Sequence, residues 1–149
     1  MRERSSLTLG VGILATLGVI GGCGGDGSGG GGPGGPGLAD VQLHVPPGVT
    51  DGIALVTVTG GTVKTVRSAG SEFRAVGAGT RTARIIARGS FSGSTAKLAT
   101  ICIDRIEDLA DFHADVNQVA GGQAAGYALR DVAPYSASLD NPRPTAGCS

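Results

Sequence analysis

The chain has 149 residues, with 12 basic and 12 acidic side chains, 28 Gly, three Phe, two Tyr and no Trp. That length suits one compact domain and leaves no room for a two-domain enzyme, and a balanced charge without a long run of one sign excludes the basic footprint of a nucleic-acid binder. Glycine at roughly one residue in five, against about 7% in average proteins, means that part of the chain is not packed core.

The N-terminus sets the compartment. Met1-Arg-Glu-Arg-Ser-Ser precedes an uncharged run from Leu7 to Gly22, and a charged start before an apolar stretch reads as an export signal over residues 1–22. The run is short of the roughly 20 residues that span a bilayer as a helix, and its glycines weaken it further. Its end, Ile20-Gly21-Gly22-Cys23, resembles the bacterial lipobox. That resemblance implies cleavage before Cys23 and acylation of its thiol, a nucleophile able to form a stable thioether with lipid. Each buried methylene contributes about 0.8 kcal/mol, so two or three acyl chains hold a protein at a membrane surface without spanning it. An ordinary secretory signal with an incidental Cys, or a buried apolar helix, is the alternative. In the lipoprotein pattern an Asp after the Cys retains many proteins at the inner membrane; Gly24 stands there, which implies the outer membrane or cell surface.

Residues 23–37 form the lipidated Cys and a linker, since Gly24 to Gly37 is almost entirely Gly and Pro. Such a composition builds no core, and as a flexible tether it spans roughly 20 Å. Residues 38–149 are the folded domain, cut by turn signals at Pro46-Pro47-Gly48, Asp51-Gly52, Gly60-Gly61, Gly77-Ala78-Gly79, Ser92-Gly93 and Gly121-Gly122 into pieces of strand length. Val41, Leu43 and Val45 alternate with Gln42 and His44, the period of a half-buried strand. Ile53 to Val58 is a continuous β-rich run, which predicts a strand buried on both faces. Thr62–Val66 and Glu72–Val76 read as shorter strands. Ala83, Ile85 and Ala87 alternate with Arg84, Ile86 and Arg88; Leu98–Ile103 is another apolar run. Tyr127, Leu129 and Asp131 alternate with Ala128, Arg130 and Val132, and Tyr135–Leu139 closes the series.

One stretch supports two readings. Asp104 to Ala120 carries Ile106, Leu109, Ala110, His113 and Val116 at helical spacing before Gly121-Gly122, yet Phe112, Ala114 and Val116 also alternate with His113, Asp115 and Asn117. The all-β surroundings favour a connection over Asp104–Asp111 and a strand over Phe112–Val119. The expected fold is therefore all-β: an antiparallel β-sandwich of eight or nine strands. The order of Leu98–Ile103, the acidic connection, the Phe112/Ala114/Val116 strand and Gly126-Tyr-Ala-Leu129 resembles cohesin-type and related carbohydrate-module jelly rolls. The whole chain is also similar to short bacterial lipoproteins built from a lipobox, a Gly-rich tether and one such domain. The resemblance implies a binding or scaffolding role.

With Cys23 lipidated, Cys102 and Cys148 remain as an even pair in an oxidising compartment, as a disulfide requires; the alternative is a buried thiol and a terminal one. Charge is uneven. Lys64, Arg67, Arg74, Arg81, Arg84, Arg88 and Lys97 face Glu72 alone in their stretch, whereas Asp104, Glu107, Asp108, Asp111 and Asp115 accompany only Arg105. These read as solvated faces paired with each other, or, for Arg84 and Arg88 on one side of a strand, as contacts for an anionic polymer or lipid headgroups. A Ca²⁺ site at Asp104, Asp108 and Asp111 lacks the D-x-[DN]-x-[DN]-G loop, so no metal is expected. His44 and His113 sit on polar faces of their strands. Gly89-Ser-Phe-Ser-Gly93 misses G-x-S-x-G because Phe91 takes the nucleophile position, and P-loop, dinucleotide and C-x-x-C patterns do not occur. The expectation is a non-enzymatic, lipid-anchored, monomeric envelope protein without a cofactor, contacting a protein more readily than a glycan because aromatics are scarce. Edge-strand pairing in an assembly is the second reading, and a small hydrolase using the acidic stretch the third.

Overall fold

The computed structural model describes residues 34–70 and 72–149; the expected signal segment, Cys23 and the expected linker up to residue 33 lie outside the described residues. Nine strands follow in order: β1 (Gly37–His44), β2 (Thr50–Thr59), β3 (Val63–Ser68), β4 (Glu72–Val76), β5 (Ala83–Ser92), β6 (Thr95–Ile103), β7 (His113–Gly121), β8 (Leu129–Arg130) and β9 (Ser136–Pro144). They form a four-stranded sheet, β3-β6-β1-β9, and a five-stranded sheet, β4-β5-β2-β7-β8. Neighbouring strands are antiparallel throughout. Alternate residues of both sheets, among them Val41 and Leu43 of β1, Val56 and Val58 of β2, Ile85 of β5 and Ile101 of β6, meet in one buried cluster. The fold is thus all-β and sandwich-like, and each large aliphatic side chain so buried contributes about 1.5–3 kcal/mol. Among the described residues every strand and the whole of this core lie within Gly37–Pro144.

The strand over β7 prevails in the contested stretch, because Phe112 is buried and Ala114 and Val116 half-buried while His113, Asp115 and Asn117 are exposed. The acidic connection before it is not bare loop: Ile106–Asp111 winds into a 3-10 helix, closed where the Phe112 amide donates to the Leu109 carbonyl at 3.1 Å. Gly60 packs directly against this turn; a Cβ there would collide with the Asp111 carbonyl, and its φ of 109° suits only glycine.

Two expectations need correction. The run from Ile53 to Val58 is not buried on both faces: Ala54, Val56 and Val58 are fully buried, but Ile53, Leu55 and Thr57 are half-exposed on the opposite side. Only one face of this sheet is covered by the other sheet, so apolar residues on its second face stay open. The alternating strand expected over Tyr127–Val132 shrinks to Leu129–Arg130. Gly126 and Tyr127 both take positive φ after a short 3-10 turn at Gln123–Ala125, and the Asp131 side chain accepts from the Ala133 amide at 3.0 Å. A left-handed pair on one side and an Asp-stabilised turn on the other leave room for little ladder.

Cys102 and Cys148 form a disulfide, with Cα atoms 5.5 Å apart and a sequence separation of 46. It ties the C-terminal tail to β6, where Cys102 is 1% exposed. Arg67 of β3 donates to the Ser149 carbonyl beside it. At the other end of the chain, the Gly35 and Pro36 carbonyls accept from the Ile106 and Thr145 amides, both at 2.9 Å. Among the described residues no helix is long and apolar enough to cross a membrane.

Candidate functional site

The outer faces of the two sheets differ in how their charges are used. On the four-stranded sheet Asp40 of β1, only 5% exposed, draws in Lys97 Nζ at 2.9 Å and Arg143 Nη2 at 3.0 Å. Thr100 Oγ1 donates to it at 2.8 Å and Asn141 Nδ2 at 3.3 Å. Burial pushes the Asp40 carboxyl upward, but its bonds from Lys97, Arg143, Thr100 and Asn141 together outweigh that and hold it well below the usual carboxylate range. His44, beyond Gln42 on this face, places Nε2 2.9 Å from Ser138 Oγ. This face is self-satisfied: its central charge is consumed by its neighbours.

The sign of that shift gives a test. A carboxylate with a depressed folded-state value adds stability that is present above its unfolded value near 4 and is lost as pH falls further. Asp40→Asn is expected to cost about 1–2 kcal/mol at neutral pH, modest because Lys97 and Arg143 are partly exposed. Urea unfolding at pH 7 and pH 3 should show the variant losing less on acidification than the parent; parallel losses would rule out this role.

The outer face of the five-stranded sheet is different. Cross-strand neighbours place Arg74, Ile86, Leu55 and Gln118 in one row and Val76, Arg84, Thr57 and Asp115 in the next. A third row runs from Arg88 through Ile53 and Ala120 to Leu129. Val76 is 59% exposed, Ile86 39% and Leu129 73%. Ile53, Leu55, Ile86, Tyr127 and Leu129 border a shallow apolar hollow of about 240 Å³. Arginine and aliphatic side chains thus alternate over β4 and β5. Arg88 donates from Nη2 to the Tyr127 hydroxyl at 2.6 Å, with its guanidinium carbon 5.3 Å from the ring centroid. Arg74, Arg81 and Arg84 form no ion pair among the described residues.

The structure therefore places Arg84, Ile86 and Arg88 on one exposed side of β5, as the alternation predicts. The idea that basic and acidic stretches neutralise each other holds only locally. Lys64 pairs with Asp104 at 3.0 Å, while Glu107 and Asp108 pair with Arg105 at 3.1 and 3.0 Å. Those pairings engage two of the three carboxylates considered for Ca²⁺, and among the described residues no group of three or more His, Cys, Asp or Glu side chains is arranged to hold a metal ion. His44 and His113 belong to different sheets, and Phe91 of the Gly-Ser-Phe-Ser-Gly segment is a core residue. Cys23 lies outside the described residues.

Sequence reasoning missed Ile53 and Leu55 as surface residues. The signal was there, since Thr57 and Thr59 occupy the same parity and mark that side of β2 as half-wet. It also missed Asp51, which is fully buried at one end of the sandwich. The Tyr135 hydroxyl donates to its Oδ2 at 2.8 Å. Arg130 Nε lies 2.5 Å from Oδ1, an ion-pair contact in which the N–H does not point along the line of a hydrogen bond. Gly52, beside it, is required by the close approach of Gly122. A cleft of about 510 Å³ opens next to this group, lined by Asp51, Arg88, Ser90, Gln123 and Tyr127 among others. The Asp51 carboxylate is already clasped by Tyr135 and Arg130, which makes it a structural clamp on the end of the core.

Compared with known proteins, the chain matches no family model, and no curated protein or solved structure is significantly similar to it.

Proposed function

We propose that the chain is a non-enzymatic, lipid-anchored protein of the cell envelope, held at the membrane through an acylated Cys23, whose two-sheet domain acts as a monomeric contact module for another protein. The observation that carries this reading is the contrast between the two outer faces. One buries its charge in a closed network around Asp40; the other presents Ile86, Val76 and Leu129 to solvent, with Arg74 and Arg84 beside them forming no ion pair among the described residues. A contiguous apolar hollow edged by Arg has the composition of a protein-contact surface. Tyr127 is the one aromatic residue bordering it, which disfavours stacking of sugars. The lipobox and Gly24 support an outer-membrane or cell-surface position. Sheets of four and five strands support the finer likeness to cohesin-type jelly rolls and, with it, a scaffolding role.

The test is site-specific photo-crosslinking in the source cells. A photoreactive residue at position 86 or 129 is expected to give a discrete adduct, one at Thr95 on the other sheet none, and Ile86→Asp should reduce the adduct from position 129 at least about fivefold, since it puts a charge into a desolvated contact. Equal labelling from both sheets would remove the proposal. The anchor is tested separately: Cys23→Ala should release the protein from the membrane fraction, and release of the parent protein without detergent would count against acylation.

A further inference from the structure

We propose that the arginine side of this face receives an extended acidic segment of the partner protein, added as a further strand along the open edge of β4. The proposal deepens the contact-surface reading and rests on it. Among the described residues β4 pairs only with β5, so its other edge offers unpaired backbone N–H and C=O groups, the feature that strand addition uses. Arg74 lies on this edge strand, Arg84 beside it on β5, and Arg81 in the turn that joins the two. All three are exposed and none has an ion-pair partner among the described residues. Guanidinium groups gathered at one edge complement carboxylates, which they bind through two parallel hydrogen bonds.

The apolar residues set the pattern of the guest. Val76 stands two residues from Arg74 on the same strand face, and a paired strand repeats its own outward side chains at about 6.7 Å, twice the rise per residue. A segment with a carboxylate beside Arg74 and an aliphatic residue two positions on, beside Val76, satisfies charge and apolar contact in one register. An anionic membrane surface would answer the arginines but leave the strand edge unpaired, which is why a protein segment is the occupant the geometry favours.

The Gly34–Ser149 domain contains every strand, the buried core and the disulfide described above, and can be tested alone by fluorescence anisotropy. The first probe is a nine-residue peptide with Glu and Val alternating on one face and Thr between them. The second has Lys for Glu, and the third a Pro at the centre. The acidic peptide should bind, the Lys and Pro peptides at least about tenfold more weakly, and Arg74→Glu/Arg84→Glu should weaken the acidic peptide by at least about tenfold while leaving the fold intact. Raising salt should weaken binding as well. Equal binding of the acidic and Lys peptides, or indifference to the double charge reversal, would overturn the proposal. So would binding to phosphatidylglycerol vesicles with no binding to the peptides, which would assign the arginines to lipid. Peptide failure alongside a position-86 adduct overturns the acidic strand and leaves the contact surface standing, so the two failures are distinguishable.

Discussion

Cys148→Ala is expected to lower the unfolding free energy of the domain by about 3–4 kcal/mol, the effect of removing a crosslink that closes a loop with a separation of 46 residues. Domains of this size hold only about 5–15 kcal/mol in total, so the loss is a large part of the whole. Cys148 is the informative partner to change. Cys102 lies on the outer side of β6, between the inward-facing Ile101 and Ile103, and is only 1% exposed, so its replacement mixes loss of the crosslink with loss of packing. The tail that carries Cys148 is otherwise tied to the body by the Thr145 amide on the Pro36 carbonyl at 2.9 Å and by Arg67 on the Ser149 carbonyl. Urea unfolding with and without reductant checks the prediction. Reduced parent and Cys148→Ala should unfold together and well before the oxidised parent, and three coincident curves would show that the crosslink adds nothing. Titration of the denatured, unreduced domain should find no free thiol.

Asp51→Ala is expected to destabilise by about 2–3 kcal/mol, because it strands the buried Tyr135 hydroxyl and removes the carboxylate that pairs with the more exposed Arg130 guanidinium. Tyr135→Phe, which leaves the Asp51 Oδ2 without its donor, should cost about 1–3 kcal/mol. The pair also has an alkaline signature. Burial, then the hydrogen bond to Asp51 and the charge of that carboxylate, push the Tyr135 phenol up to about 12 against a smaller opposing pull from Arg130. A group whose folded-state value lies above its unfolded value contributes fully below the unfolded value, here near 10, and loses that contribution as pH rises toward 12. The parent should therefore lose up to about 2–3 kcal/mol across that window in excess of Tyr135→Phe. Equal losses in the two proteins would show that the phenol is not clamped.

Much of the fold is legible in the chain because strands announce themselves by period. Ala83, Ile85 and Ala87 turn inward and Arg84, Ile86 and Arg88 outward for no reason beyond alternation on a half-covered sheet. The same rule settles Phe112–Val119 as strand over helix once its neighbours are strands. What it does not settle is which sheet covers which face. Ile53 and Leu55 read as interior because both parities of β2 are apolar there; Thr57 and Thr59 hint at the wet side, and the assembled sheets show that this parity faces solvent. The charged residues divide similarly. Arg84 and Arg88 are legible as a pair on one side of a strand, but the fate of Asp40 and Asp51 depends on side chains roughly 60 to 100 positions away, Thr100, Arg143 and Tyr135. No local pattern encodes such a meeting. Of the three cysteines, setting Cys23 aside as the expected lipidation site leaves Cys102 and Cys148 as a pair, so arithmetic points to the disulfide before geometry does.

β1 is flanked on both sides, by β6 from Gly37 to His44 and by β9 over the same span, with Gly37 facing Ile103 on one side and Pro144 on the other. A pull arriving from the N-terminal side of Gly37 runs along this interior strand and loads two antiparallel ladders in shear at once. An outermost strand would instead peel away one hydrogen bond at a time. If the domain is held through an acylated Cys23 as proposed, tension enters at a strand whose two ladders share the load.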